Sequence, residues 1–342
     1  MSNKQNRVLM ISPFKYSQRG NSITSLRIKT GLERRGYMID LVSLEDKDVA
    51  AQVREALEQS PCLLHAFHAR HWGKLLAEIP SLENMPVILT ATGTDLHQDL
   101  AQNDPYVIPG LSSADKIVVF HRDFEPLLSH PYPQLTDRLT VIPQGISLPE
   151  PSASLALPAA IGPQDFVFYL PSGLRPVKNL ELALDGLESI QPNHPRLKLV
   201  IIGAAIDPAY SRQLLERIKT LPWVAWLGEI PHTVVSSLIR HCHAVINSSH
   251  CEGQPQGALE AMSLGLPCIL TAAPGNLNLI NNGREGFYVH DAAELSRAAK
   301  TLLDNPQLAA RMGAAAQALV KTRFAPENEI NAYADLYRQF CP

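Results

Sequence analysis

Leu197-Lys-Leu-Val-Ile-Ile202 runs into Gly203, a helical stretch from Gln213 to Thr220, and a second apolar run, Val224-Ala-Trp-Leu227. A helical stretch from Val234 to Arg240 and a third run, Ala244-Val-Ile-Asn247, come next. Short apolar runs without polar alternation read as strands buried on both faces. Strands that alternate with helices build a parallel sheet from βαβ units. The pattern continues outward in both directions. Phe166-Val-Phe-Tyr-Leu170 and a helix from Leu180 to Ile190 precede it, and two further units end near Leu303. A helix over 305–320 and an amphipathic last helix, Pro326 to Phe340, follow.

The first half repeats the theme. Arg7-Val-Leu-Met-Ile-Ser-Pro13 reads as a strand, Gly20 and Asn21 as a loop, and Ser22 to Arg35 as a helix stopped by Gly36. Strands follow at Met38–Ser43, Cys62–Phe67, Val87–Ala91, Lys116–Phe120 and Leu139–Ile142. Ile146 to Pro163 is rich in Pro, Ser and Ala and reads as a linker. The expected fold is α/β, with two Rossmann-like, doubly wound parallel-sheet domains. Residues 1–150 form the first, 151–164 the linker and 165–325 the second, with 326–342 as a C-terminal helix. Ligands in such folds bind beyond the carboxyl ends of the strands, and two such edges are expected to face one another across a cleft.

Composition excludes several function classes. A chain of 342 residues with 45% hydrophobic and 18% charged residues can bury a core in each of two domains. A net charge of −3 provides no global field for nucleic acid. Lys15, Arg19, Arg27, Lys29, Arg34 and Arg35 crowd the first βα unit. They read as a solvated helix face, with weak peripheral contact to an anionic membrane as the alternative. The five cysteines contain no CxxC pair, which argues against a disulfide framework or a zinc site and for a cytoplasmic setting. No apolar run is long enough to span a membrane, and the N-terminus lacks a signal-peptide core.

Polar and glycine residues gather where strands end. In the second half Gly173-Leu-Arg175-Pro-Val-Lys178 follows one strand, Gly203 another, and Glu252-Gly-Gln-Pro-Gln-Gly-Ala-Leu-Glu260 a third. Gly253, Pro255 and Gly257 suggest a turn with free N–H groups before a helix from Ala258 to Leu264, ended by Gly265 and Pro267. Such a helix start favours an anion, and carboxylates at Glu252 and Glu260 suit a ligand rich in hydroxyls. Taken alone, the two glutamates are ordinary solvated residues. Arg175 and Lys178, three apart at a helix opening, converge on one anion and oppose the helix dipole unless an anion compensates them. Anion plus hydroxyls describes a nucleotide sugar.

In the first half His65 and His68, Thr92-Gly93-Thr94-Asp95 and Gln144-Gly145 occupy strand ends. His68 is the histidine expected in the cleft, and His65 the one expected to be packed. Asp95 either orients an acceptor or caps a helix. His65, His68 and His71 lack a helical setting for zinc, so no metal is assigned. The chain contains neither GxxxxGK nor GxGxxG, which disfavours a kinase or an NAD dehydrogenase.

These residues resemble a known family, the retaining glycosyltransferases of family four, whose fold is called GT-B. Glu252-x7-Glu260 followed by Ala-Met-x-x-Gly-Leu-Pro is similar to its signature. Gly173-Leu-Arg175-Pro-Val-Lys178 resembles its Gly-Arg-x-x-x-x-Lys element, one residue shorter. Val141-Ile-Pro-Gln-Gly145 and Gly286-Phe-Tyr-Val289 resemble two others. The resemblance implies Arg175 and Lys178 at the donor diphosphate, Glu260 at the ribose, and Glu252 with the N–H groups after it at the transferred sugar. It adds Gly20 and Asn21 at the diphosphate, and Gly228, Glu229 and Ile230 at the base. Gly173, Gly203, Gly253, Gln254, Gln256, Gly257, Ala258 and Leu259 complete the donor side. His68 joins Arg175, Lys178 and Glu252 as catalytic, and Thr92, Gly93, Thr94, Asp95 and Gln144 form the acceptor side. The last helix is expected to cross back to the first domain.

Two segments depart from the family pattern, Gly20-Asn21-Ser-Ile-Thr24 and Pro274-Gly275-Asn276. Asn21, the His68-Ala-Arg70 segment, Thr92-Gly-Thr-Asp95 and Pro274-Gly275-Asn276 together resemble a smaller branch with vertebrate glycosyltransferase-domain proteins and bacterial selenosugar synthases. The resulting expectation is retaining transfer of a hexosyl group from a nucleotide diphosphate sugar, UDP-linked, to an unidentified acceptor, without a metal or other cofactor. The alternatives are a synthase joining selenophosphate to a UDP-sugar, and a nucleotide-sugar-binding protein without transferase activity.

Overall fold

The computed structural model describes residues 6–14, 20–150 and 161–341, with only the backbone of Gly20 and Asn21. Lys15, Arg19 and linker residues 151–160 lie outside that set. Two compact units emerge, 1–145 with 326–342 and 146–325.

The first unit holds six strands: β1 (Arg7–Ser12), β2 (Met38–Ser43), β3 (Leu63–Phe67), β4 (Val87–Thr90), β5 (Lys116–Val119) and β6 (Leu139–Val141). Their order is β2-β1-β3-β4-β5-β6, all parallel. The helices between them are α1 (Gly20–Glu33), α2 (Val49–Glu58), α3 (Ala69–Glu78), α4 (Val107–Ser112) and α5 (Glu125–Ser129). Gly20 and Asn21 therefore open α1, where the sequence suggested a loop.

The second unit holds β7 (Phe166–Pro171), β8 (Leu197–Ile202), β9 (Val224–Trp226), β10 (Ala244–Asn247), β11 (Cys268–Thr271) and β12 (Gly286–Val289). Its order is β12-β11-β10-β7-β8-β9, again parallel. Its helices are α6 (Leu180–Glu188), α7 (Pro208–Lys219), α8 (His232–Ile239), α9 (Gln256–Ser263), α10 (Ala292–Asp304) and α11 (Pro306–Arg323). α7 starts five residues before its apolar periodicity, because the Asp207 side chain accepts from Tyr210 N and Pro208 takes the first helical position.

Strand order reverses between β1 and β3 in the first sheet and between β7 and β10 in the second. Loops leaving neighbouring strands there diverge to opposite faces and open a crevice, where open α/β sheets bind ligands.

Both sheets are buried on both faces. β3, β4, β10 and β11 contain no exposed residue at all. The last helix, α12 (Pro326–Tyr337), belongs to the first unit. Ile330, Tyr333 and Tyr337 join Val8, Met10, Ile28, Phe67 and Val118 in one apolar cluster. Arg27 of α1 grips the fully buried Glu329 carboxylate through two hydrogen bonds, 2.7 and 2.9 Å. A buried polar chain runs from Tyr337 through His65 (2.6 Å) and Thr90 (2.8 Å) to Tyr333 (3.0 Å). Burial pushes His65 down to about 3, so it stays a neutral, packed histidine.

One domain boundary differs from the sequence reading. Ile146 lies in the core of the second unit, and its N–H donates to Phe324 O at 2.8 Å, so the first unit's N-terminal stretch ends at Gly145 rather than 150. The cysteines also depart from expectation. Cys62 and Cys341 form a disulfide across 279 positions, with Cα atoms 5.5 Å apart, while Cys242, Cys251 and Cys268 are free. No spacing rule in the sequence signals a pair so distant. Among the described residues no helix is long and apolar enough to cross a membrane.

Candidate functional site

At the reversal point of the second sheet, the loop after β7 meets the loop after β10. Arg175 precedes a single 3-10 turn, Pro176–Lys178, and Asn179 then takes a left-handed conformation, φ 45°, before α6 begins. Arg175 and Lys178 thus sit on their own turn, not on the first turn of α6. Lys178 Nζ donates to Glu252 Oε1 at 2.6 Å, an anion that the spacing of the sequence did not pair with it. Asn247 Nδ2 (2.9 Å) and Ser249 Oγ (2.6 Å) donate to the same oxygen. Glu252 Oε2 receives no hydrogen bond from the described residues. Burial alone would raise the Glu252 carboxyl, but the Lys178 charge and the three hydrogen bonds outweigh it and hold its pKa below the ordinary value.

Arg175 behaves differently. Among the described residues it forms no ion pair, and its Nε is buried without a hydrogen-bond partner. An unpartnered buried donor is costly unless a ligand completes it.

α9 begins at Gln256, so Gln256 and Gly257 belong to the helix rather than to the turn before it. A Cβ on Gly257 would lie 2.6 Å from Pro171 Cβ, so glycine lets the start of α9 approach the end of β7. Gln256 N donates back to Gln254 O at 2.8 Å, and the next N–H groups of the helix have no carbonyl a turn earlier to satisfy them. Gln254, Ala258, Leu259 and Glu260 are buried, and Gly253 is half-buried. His232, opening α8, meets Glu260 Oε1 at 2.9 Å. Gly203 donates to Gly228 O at 2.8 Å, which ties the ends of β8 and β9 together. Ile230 is half-buried and Glu229 exposed. A Cβ on Gly173 would meet Ile206 Cδ1 at 2.5 Å.

In the first unit, His68 follows β3 with φ 71°, an uncommon backbone for a non-glycine residue and a feature that clusters at functional sites. Its Nε2 lies 3.3 Å from Thr94 Oγ1 and 3.8 Å from Asp99 Oδ2, and its buried Nδ1 lacks a partner. Thr92 Oγ1 and His97 Nε2 are likewise buried and unpartnered. Burial raises the Asp99 carboxyl, and His68 opposes that rise. His71, 4.5 Å from His68 between ring centres, is pushed to about 4 by burial and by His68 and Arg70. Gln144 is buried and donates to Thr24 Oγ1 at 2.9 Å. Among the described residues no three His, Cys, Asp or Glu side chains form a metal-ligand cluster.

Asp95 is used structurally. Its fully buried carboxylate accepts from Ala69 N (2.8 Å), Thr92 N (3.0 Å) and Gly93 N (2.8 Å). It caps α3 and closes its own loop, which leaves little capacity for an acceptor. Asp95→Ala strands three donors, two of them buried, and is expected to cost about 3 kcal/mol. Denaturant unfolding checks this, with donor affinity in the second unit as the control that should not move.

Asn247, Ser249 and His232 were missed in the sequence, since Ser, Asn and His near strand ends and helix starts usually serve as turn or cap residues.

Residues 159–319 match the family described as glycosyl transferases group 1. The chain carries a group 1 glycosyltransferase domain. A Xenopus tropicalis protein named glycosyltransferase 1 domain-containing protein 1 is 26% identical to the enzyme over 330 residues, 93% of each chain. Among solved structures, sucrose-phosphate synthase of Thermosynechococcus elongatus matches with a TM-score of 0.79 at 17% identity, over 98% of both chains. HepE of Anabaena, solved in complex with UDP-glucose, matches at 0.77 and 17% identity, over 97% of the glycosyltransferase and 99% of HepE. The fold is GT-B.

Proposed function

We propose that this glycosyltransferase moves a sugar from a UDP-linked donor to an acceptor with retention of configuration. The observation that carries the proposal is the buried, unpartnered Nε of Arg175 beside the Lys178–Glu252 pair, at the strand-order reversal of the second sheet. In this reading Arg175, Lys178 and the start of α9 stabilise charge on the leaving diphosphate. Glu252 Oε2 accepts from a hydroxyl of the transferred sugar, and Glu260, steadied by His232, accepts from the ribose. In this reading the leaving phosphate takes the acceptor's proton. His68, Thr92, Thr94 and Gln144 contribute the acceptor-side hydrogen bonds of the first unit. The UDP-glucose bound by HepE supports a uridine donor.

A thermal-shift screen of UDP-, GDP- and ADP-linked sugars, followed by assays of nucleotide release with a panel of hydroxyl acceptors, tests the proposal. UDP-sugars should stabilise the protein, release of UDP should depend on acceptor, and NMR of the product should show the donor's anomeric configuration. Stabilisation by no nucleotide sugar, or an inverted product, would sink it.

A further inference from the structure

We propose that Asn276 is a positioning residue: it fixes the Asn247 amide so that its NH2, and not its carbonyl, faces Glu252. The inference rests on the donor-site role proposed above for Glu252.

Pro274-Gly275-Asn276 follows β11 in the place where the sequence departs from the family pattern. The segment is built against Glu252. Glu252 N donates to Pro274 O at 2.9 Å. Gly275 has φ +82°, and a Cβ there would lie 2.0 Å from Glu252 O, so neither the backbone nor the space admits a side chain. Asn276 is fully buried. Its Nδ2 donates to Asn247 Oδ1 (3.0 Å), Thr271 O (3.1 Å) and Thr271 Oγ1 (3.1 Å). Its own Oδ1 is buried without a partner. Its carbonyl is held in turn by the Tyr288 hydroxyl at 2.8 Å.

A buried amide that leaves its acceptor unsatisfied while its two N–H groups are shared among three acceptor atoms is placed for what it donates. An amide can face a carboxylate with either end. Asn247 Oδ1 accepts from both Asn276 Nδ2 and Ser249 N (3.2 Å), which turns Asn247 Nδ2 onto Glu252 Oε1 at 2.9 Å. Asn247, Ser249 and Lys178 then saturate Oε1, and Oε2 stays open. Thr271 Oγ1 donates to Ser249 O at 2.6 Å, so the same cluster also steadies the serine. Without Asn276 only the longer Ser249 N–H contact, 3.2 Å, still holds Asn247 Oδ1, so the amide is freer to reverse and present its carbonyl to a carboxylate, a repulsive arrangement that favours protonation of Glu252. Lys178 is the charged group acting on Glu252. Arg175 and Cys251 flank the pair, and burial and Glu252 keep the Cys251 thiol raised.

Two variants of the full chain separate positioning from mere packing. Asn276→Leu keeps the volume and deletes the donor. Asn276→Asp can still donate while its carboxyl is protonated and loses that ability once it ionises. The activity-independent readout is the titration of Glu252 by NMR of 13C-labelled glutamate, with the resonance identified through Glu252→Gln. Asn276→Leu should move the Glu252 midpoint upward by about one pH unit. It should lower kcat for UDP release about tenfold, with the donor KM changed less than threefold. Asn276→Asp should resemble the wild type at low pH and acquire a falling limb as pH rises. A wild-type Glu252 titration in Asn276→Leu, with the fold intact by circular dichroism, overturns the inference. So does a wild-type pH profile in Asn276→Asp. If the parent enzyme turns over no UDP-sugar, the function proposal fails while the titration still decides this one.

Discussion

If Arg175 holds the leaving diphosphate as proposed, Arg175→Ala should lower kcat for sugar transfer by a factor of about 100 to 1,000, the usual loss when one preorganised donor to a developing oxyanion is removed. The protein should fold as before. Arg175 makes no ion pair among the described residues, and its Nε is a buried donor without a partner. Removing an unsatisfied donor relieves a cost in the unliganded protein. Loss of function with unchanged or slightly raised thermal stability is therefore the signature, and few structural arginines would give it. Arg175→Lys should rescue poorly, because an ammonium cannot reproduce the planar fork that grips two phosphate oxygens. Steady-state UDP release and a thermal melt on the same preparation check both halves. Turnover near the wild-type rate in Arg175→Ala removes the diphosphate role.

Lys178→Met should have the opposite profile, with stability lost as well as activity. Lys178 and Glu252 are 16% and 9% exposed, so the variant leaves a buried carboxylate with two neutral donors and no countercharge. Breaking such a pair from one side costs about 3–5 kcal/mol. The pH dependence has a definite sign. In the parent the folded-state pKa of Glu252 is depressed, so its stabilisation is present above the ordinary glutamate value and fades as pH falls through the folded value. Without Lys178, burial dominates and the folded-state pKa rises. The deficit of Lys178→Met should then be largest near neutrality and shrink as the medium becomes acidic. Adding Glu252→Gln should recover much of the loss, because the orphaned charge is gone. Urea unfolding of the single and double variants across pH 4 to 7 measures this. A deficit independent of pH would refute the charge argument.

The repeated strand–helix pattern was legible because strands such as Leu197–Ile202 are apolar but for one residue, here Lys198, and that pattern depends on local chemistry alone. The glycine and charged residues at strand ends were legible for the same reason. Pairings across the chain were not. Lys178 and Glu252 lie 74 positions apart, and Asn276 and Asn247 lie 29 apart, with nothing in either segment naming its partner. Asp95 could be read two ways until the three N–H groups around it were placed. Gly20 and Asn21 read as a loop because glycine and asparagine are poor helix formers, yet a helix can begin on them. The cysteines misled because a single long-range bridge leaves no spacing to recognise.

The placement of α12 sets an order of events during synthesis. The N-terminal half of the chain emerges first, and domains ordinarily fold in that order. Here the first unit's apolar cluster needs Ile330, Tyr333 and Tyr337, and Glu329 supplies the partner of Arg27. Residues 146–325 contain every described strand of their own sheet and need nothing from α12 to complete it. The half made first therefore waits with an open apolar face until the half made second is complete. A chain released after residue 325 should present a folded second unit and an unfinished first one, the stage at which chaperones have most surface to grasp.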